Sequence, residues 1–165
     1  MRAIERIYIH CSDSLWGEIE EIRQWHLQRG FSDIGYHYLI CNQFPFYQSL
    51  KDDLPDLSYD GRVQNGRSLD VPGAHVHGDN RNTVGICLVG ISEFTQAQLE
   101  ALFKLMGTLL ERFNLRVSDV LGHYEYWTER TQKPLKSCPN IDMETLRNDY
   151  LGWERKGRHL SFNVT

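Results

Sequence analysis

Apolar and polar positions alternate along residues 3–11, AIERIYIHC, and the alternation predicts a strand that ends at His10. Ser12 to Ser14 offer helix-capping hydroxyls. Trp16, Ile19, Ile22 and His26 follow at roughly helical spacing, so a helix is expected over 16–29, closed by Gly30. Aromatic and β-branched residues crowd 36–41, YHYLIC, as in a strand. Residues 42–60 hold no clean period. Pro45, Pro55 and the KDD run read as a long excursion that ends on a hairpin turn signal, Asp60-Gly61, with a short strand, RVQ, after it. Residues 84–90, VGICLVG, are a nearly continuous apolar run, as in a strand covered on both faces.

The next pattern is helical. Thr95 and Gln98 are spaced as a capping box, and Leu99, Leu102, Phe103, Met106, Leu109, Leu110 and Phe113 form one apolar stripe behind them. Residues 116–122 read as a short strand or loop leading to His123, and a last helix is expected from near Asp142 to about Leu151. Strands alternating with helices give an α/β class: one domain over 1–151, with a mixed central sheet flanked by helices. Residues 152–165 form a C-terminal tail without a period, either frayed or docked through Trp153 and Phe162.

Composition narrows the classes. With 165 residues, 41% hydrophobic and 24% charged, the chain can bury a core and resembles ordinary globular proteins. A net charge of −4 gives no basic field for nucleic acid, so no nucleic-acid partner is expected. No apolar run approaches the roughly 18 residues of a membrane span, and MRAIERIYIH lacks the apolar segment of a secretory signal. The expectation is a protein made in the cytoplasm that does not insert into membranes.

The four cysteines do not read as a disulfide framework in a chain of this length. Cys41 and Cys87 sit in apolar runs and Cys11 follows a histidine; all three are expected in the core. Cys138 differs, lying in the polar stretch KSCPN. Among the seven histidines, His10 and His123 stand at the ends of expected strands, where side chains project into a crevice. Two imidazoles and a thiolate suit tetrahedral zinc with one open position. No local motif such as HExxH joins them, and a lone histidine is more often packed than ligating, so residue types alone leave the metal open. Lys136, two residues before Cys138, would lie on the same side of an extended loop, where a cation favours a thiolate and stabilises an oxyanion.

The ordered series IHCSDS, GYHYLI, GRVQNGR, PGAHVHGDNRNTVGICLVG, LGHYEYW and KSCPNID resembles the type 2 N-acetylmuramoyl-L-alanine amidases. That family includes T7-phage-lysozyme-like endolysins and shares a fold with the peptidoglycan recognition proteins. Each motif alone is weak; together, in the family's order over residues 4–150, they are specific. The resemblance implies a peptidoglycan-recognition-protein/amidase-like fold and zinc-dependent hydrolysis of the amide between N-acetylmuramic acid and L-alanine in peptidoglycan. It implies zinc ligands at His10, His123 and Cys138, catalytic roles for Tyr36 and Lys136, and a substrate cleft lined by His75, with His77 and Asn80 as weaker candidates. His26, His37 and His159 are left as structural or surface residues.

A phage or prophage endolysin released by a holin, acting as a monomer, fits the resemblance best. The alternative is a cytosolic amidase recycling muropeptides, a branch that usually carries aspartate where this chain has Cys138. Some recognition proteins of this fold bind without cutting and typically lack the metal cysteine. Inhibition of phage RNA polymerase, known for the T7-type relative, finds no support in this N-terminus. Residues 42–60 look longer than the compact hairpin usual in the family, which would alter one wall of the cleft.

Overall fold

In the computed structural model, which describes residues 2–131 and 137–157, strand β1 spans Arg6–Cys11 and is buried from Ile7 onward. Its alternation sorts side chains between two faces: Ile7 and Ile9 join one core cluster, Tyr8 another. Strands β2 (Tyr38–Ile40), β3 (Val63–Asn65), β4 (Thr83–Leu88) and β5 (Val120–Gly122) complete a five-stranded sheet in the order β3-β2-β4-β1-β5. β4 runs parallel to β1 and β2, β5 runs parallel to β1, and only β3 is antiparallel, to β2. The sheet is mixed and the class is α/β, as the alternating elements predict. β4 is buried at every position because it is central and covered on both sides.

One face packs on two helices. α3 (Gln96–Phe113) opens with the expected capping box: Thr95 Oγ1 accepts the Gln98 N–H and Gln98 Oε1 accepts the Thr95 N–H. Its stripe of Leu102, Phe103, Met106, Leu109 and Leu110 packs with Ile7, Ile9, Val84, Ile86 and Leu88 in one cluster. α5 (Met143–Arg155) starts on Asp142, which accepts the Thr145 N–H. It continues past Leu151 and buries Trp153 against Phe103 and Tyr150. Phe162 and the rest of 158–165 lie outside the described residues. On the opposite face α1 (Ile19–Gln28) uses Ile22 to join Leu39, Cys41, Cys87 and Val89. Cys11, Cys41 and Cys87 are buried free thiols, as expected.

Several boundaries differ from the sequence pattern, each for a local reason. α1 begins at Ile19 because Gly17 takes φ +137 and Glu18 is the cap, accepting the N–H groups of Glu20 and Glu21. Ser12 and Ser14 instead hold the loop: Ser12 Oγ accepts the Gly90 N–H and Ser14 Oγ donates to the Trp16 carbonyl. Residues 42–60 contain a short helix, α2 (Tyr47–Lys51). Asp60-Gly61 does not join adjacent strand ends directly, since Ile40 pairs with Val63 across the whole excursion. At Gly61 (φ +76) a Cβ would stand 2.6 Å from the Ala97 carbonyl, so the turn tolerates no side chain there. After a 3-10 turn (Val117–Asp119) and β5, the chain enters α4 (His123–Thr131), a helix the periodicity does not announce. Among the described residues no helix is long and apolar enough to cross a membrane.

Candidate metal centre

His10 stands near the end of β1, 1% exposed, on the sheet face opposite α3. β5 lies against β1 with Ile9 facing Gly122, so the chain leaves β5 beside His10 and places His123 there as the first residue of α4. The first turn of a helix leaves backbone N–H groups without helical partners. One of them, from Tyr124, donates to the Cys138 carbonyl at 3.0 Å and ties the Cys138 turn to the start of α4. The three chain segments thereby bring one ligand atom each from His10, His123 and Cys138 within 4.8 Å of one another.

The donor set fits a metal. Cys138 Sγ lies 3.8 Å from His10 Nδ1, and zinc bonds of about 2.0–2.3 Å in a tetrahedron put ligand atoms about 3.3–3.6 Å apart. Cys138 Sγ also accepts the Cys11 N–H at 3.4 Å. The neighbouring Cys11 thiol and burial push the Cys138 thiol up. Nitrogen and sulfur donors in this number match zinc and leave one position open.

Tyr36 packs beside His10, ring centroids 5.2 Å apart, and burial pushes its hydroxyl well above 10, so it stays a proton donor. His75 is only 8% exposed, and its Nδ1 lies 3.1 Å from His10 Nε2. Asn80 Oδ1 accepts the N–H groups of both His75 and Val76, which shapes the loop rather than facing outward. His77 is exposed. Lys136 and His159 lie outside the described residues. His37 is a core residue whose Nδ1 accepts the Gly85 N–H; burial pulls its pKa down to about 4.

A cleft of about 430 Å³ opens over the cluster, lined by His10, His123, Cys138 and Tyr36. A second cavity of about 330 Å³ shares Phe31, Ala74, His75 and His123 with it and adds His77, Asn80 and Trp127. None of residues 42–60 lines either one, so the long excursion does not build a wall of these two cavities. A larger cavity, about 520 Å³, lies between α3 and α5 and, among the described residues, is lined by no histidine or cysteine.

Two contributors escape the sequence reading. His26, set aside as structural, lines the cleft from α1; its Nδ1 accepts the Gly35 N–H at 2.8 Å and its ring stacks on Phe31. Its helical spacing signals burial but not which cavity it borders. Glu125 accepts the Gly122 N–H at 2.8 Å, just ahead of α4, and pairs with both terminal nitrogens of Arg147. Arg147 in turn donates to the Val120 carbonyl, so α5, β5 and the start of α4 are clamped where His123 sits. The signal was Glu125 two residues after His123 in LGHYEYW, the reach-back half of a capping box.

A profile described as N-acetylmuramoyl-L-alanine amidase matches residues 1–140. The endolysin of Escherichia phage T7 is 31% identical over 151 residues, spanning 85% of this chain and 83% of that one. Among solved structures, the N-acetylmuramoyl-L-alanine amidase LysC from Clostridium intestinale superposes with a TM-score of 0.68 at 23% identity, covering 89% of this chain and 85% of its own. The Drosophila peptidoglycan recognition protein SD gives 0.61 at 22% identity, over 84% of this chain and 76% of its own. At these identities the two structures speak for the fold.

Proposed function

The chain belongs to the N-acetylmuramoyl-L-alanine amidase family, and from that premise we propose that it is a zinc-dependent endolysin of phage or prophage origin. Its substrate is peptidoglycan, and the bond it hydrolyses joins the lactyl carbonyl of N-acetylmuramic acid to the amine of L-alanine. The observation that carries the reading is the convergence of His10, His123 and Cys138 at the floor of an open cleft.

His10, His123 and Cys138 would hold the zinc. When bound, zinc supplies Lewis acidity toward a carbonyl oxygen and a source of hydroxide near neutral pH. The chain's own residues do the rest. Tyr36, kept protonated by burial, donates to the carbonyl oxygen as it gains negative charge. Lys136 is assigned a second cationic donor from its place two residues before Cys138. His75, His77 and Asn80 border the neighbouring cavity, whose continuity with the cleft suits a polymer with a glycan strand and a peptide branch. A holin would release the enzyme to the wall, and it acts as a monomer.

Replacing Cys138 tests the assignment. Zinc measured by atomic emission in purified Cys138→Ser should fall well below the stoichiometric content of the parent. Wall-lytic activity should drop by roughly 100-fold or more with it. Full zinc and full lysis in Cys138→Ser would remove Cys138 from the ligand set.

A further inference from the structure

Behind His10 runs a buried line of hydrogen bonds whose direction can be deduced from its far end. The Asp79 carbonyl only accepts, so the Thr83 hydroxyl, 2.7 Å away, donates to it. The Thr83 oxygen is then an acceptor for His75 Nε2–H, at 3.4 Å. With its proton on Nε2, a neutral His75 ring offers a lone pair on Nδ1, 3.1 Å from His10 Nε2. His10 therefore carries its proton on Nε2, and its lone pair on Nδ1, the nitrogen 3.8 Å from Cys138 Sγ. The chain of donors ends by aiming the ligating atom of His10 into the cluster.

The His75 ring is held in place for this. It lies against the backbone of Gly73 and Gly85, where an added Cβ would approach ring atoms to 2.3 and 2.7 Å. His75 sits edge-on to His10, with ring centroids 5.1 Å apart, and edge-on to His37 at 5.7 Å. Two backbone N–H bonds to Asn80 fix its loop. Only 8% of the residue is exposed, which leaves it little surface to offer a substrate.

We infer that His75, oriented by Thr83, is a positioning residue that fixes the tautomer and ring orientation of His10. This deepens the metal reading above and rests on it. Outer partners of metal-bound imidazoles generally act this way, and their loss typically weakens metal binding by about 10- to 100-fold.

The experiment measures zinc affinity by chelator competition in the full chain, alongside ring-nitrogen NMR of His10 in zinc-free protein. His75→Leu should bind zinc about 10- to 100-fold more weakly and release His10 into a mixture of tautomers. His75→Asn, whose side-chain oxygen can stand where Nδ1 stood, should recover most of the affinity. Wild-type zinc affinity in His75→Leu with a raised KM would make His75 a substrate contact and overturn the inference. If His75→Leu does not fold, Thr83→Val decides: weaker zinc and a mixed His75 tautomer uphold the line, and parental values for both overturn it. The metal reading is judged separately by Cys138→Ser. Zinc loss there with none in His75→Leu leaves the centre intact and removes only the role of His75.

Discussion

At the scale of single residues, chemistry here depends on protons being in the right place. In the proposed mechanism Tyr36 acts only while it keeps its hydroxyl proton, and burial favours that form by penalising the phenolate. Tyr36→Phe removes the donor without disturbing His10, His123 or Cys138. Its kcat should fall by about 100- to 1000-fold with bound zinc unchanged, as read by turnover of wall fragments and metal content on one preparation. An equal loss of zinc would mean that Tyr36 supports the cluster rather than the reaction. The identities of these residues were legible in the chain only as parts of ordered motifs. His10 and Cys138 are separated by most of the sequence, and no local spacing joins them. The parallel pairing of β1 with β5, the Tyr124–Cys138 backbone bond and the Cys11 N–H bond to Cys138 Sγ bring them together.

At the scale of elements, the sheet is held to its helices by a few buried polar groups placed at strand ends. Gln98 is 1% exposed; its Oε1 completes the cap of α3, while its Nε2 donates to the carbonyls of Ile40 and Val89. One side chain thus joins α3 to the ends of β2 and β4. Gln98→Glu would turn the shared donor into an acceptor facing two carbonyls, and should cost about 3 kcal/mol in urea unfolding. Gln98→Met, which keeps the volume, should cost less; equal losses would assign the effect to packing alone. The capping box made α3 readable, but this second use of Gln98 was not, because it depends on strands distant in sequence. α4 was hidden for a different reason. Among its residues only His123 and Tyr126 are buried, too few to form a stripe, and the residue ahead of it is Gly122, which has no side chain to cap with. Glu125 supplies the missing acceptor from inside the helix. α1 was misplaced at its start because Trp16 continues the apolar spacing across Gly17, where the backbone is not helical.

At the scale of the molecule, the two faces of the sheet divide the labour. α3 and α5 cover one face with a continuous apolar cluster, extended by Trp153 beyond the expected end of the last helix. The other face carries His10, His75 and Tyr8 beneath the cleft and pays for its polar content with directed hydrogen bonds. The α/β class and central buried strand were legible because hydrophobic period and run length report burial directly. The separation of the excursion at 42–60 from the cleft was not, since nothing in its composition says which way a loop folds. The bond that is cut is tested most directly by digestion of purified sacculi, with and without chelator, followed by mass spectrometry of the products. The expected products are glycan chains freed from intact stem peptides that begin with L-alanine, and their release should stop on chelation and return with added zinc. New reducing sugar ends, or cleavage within the peptides, would contradict it.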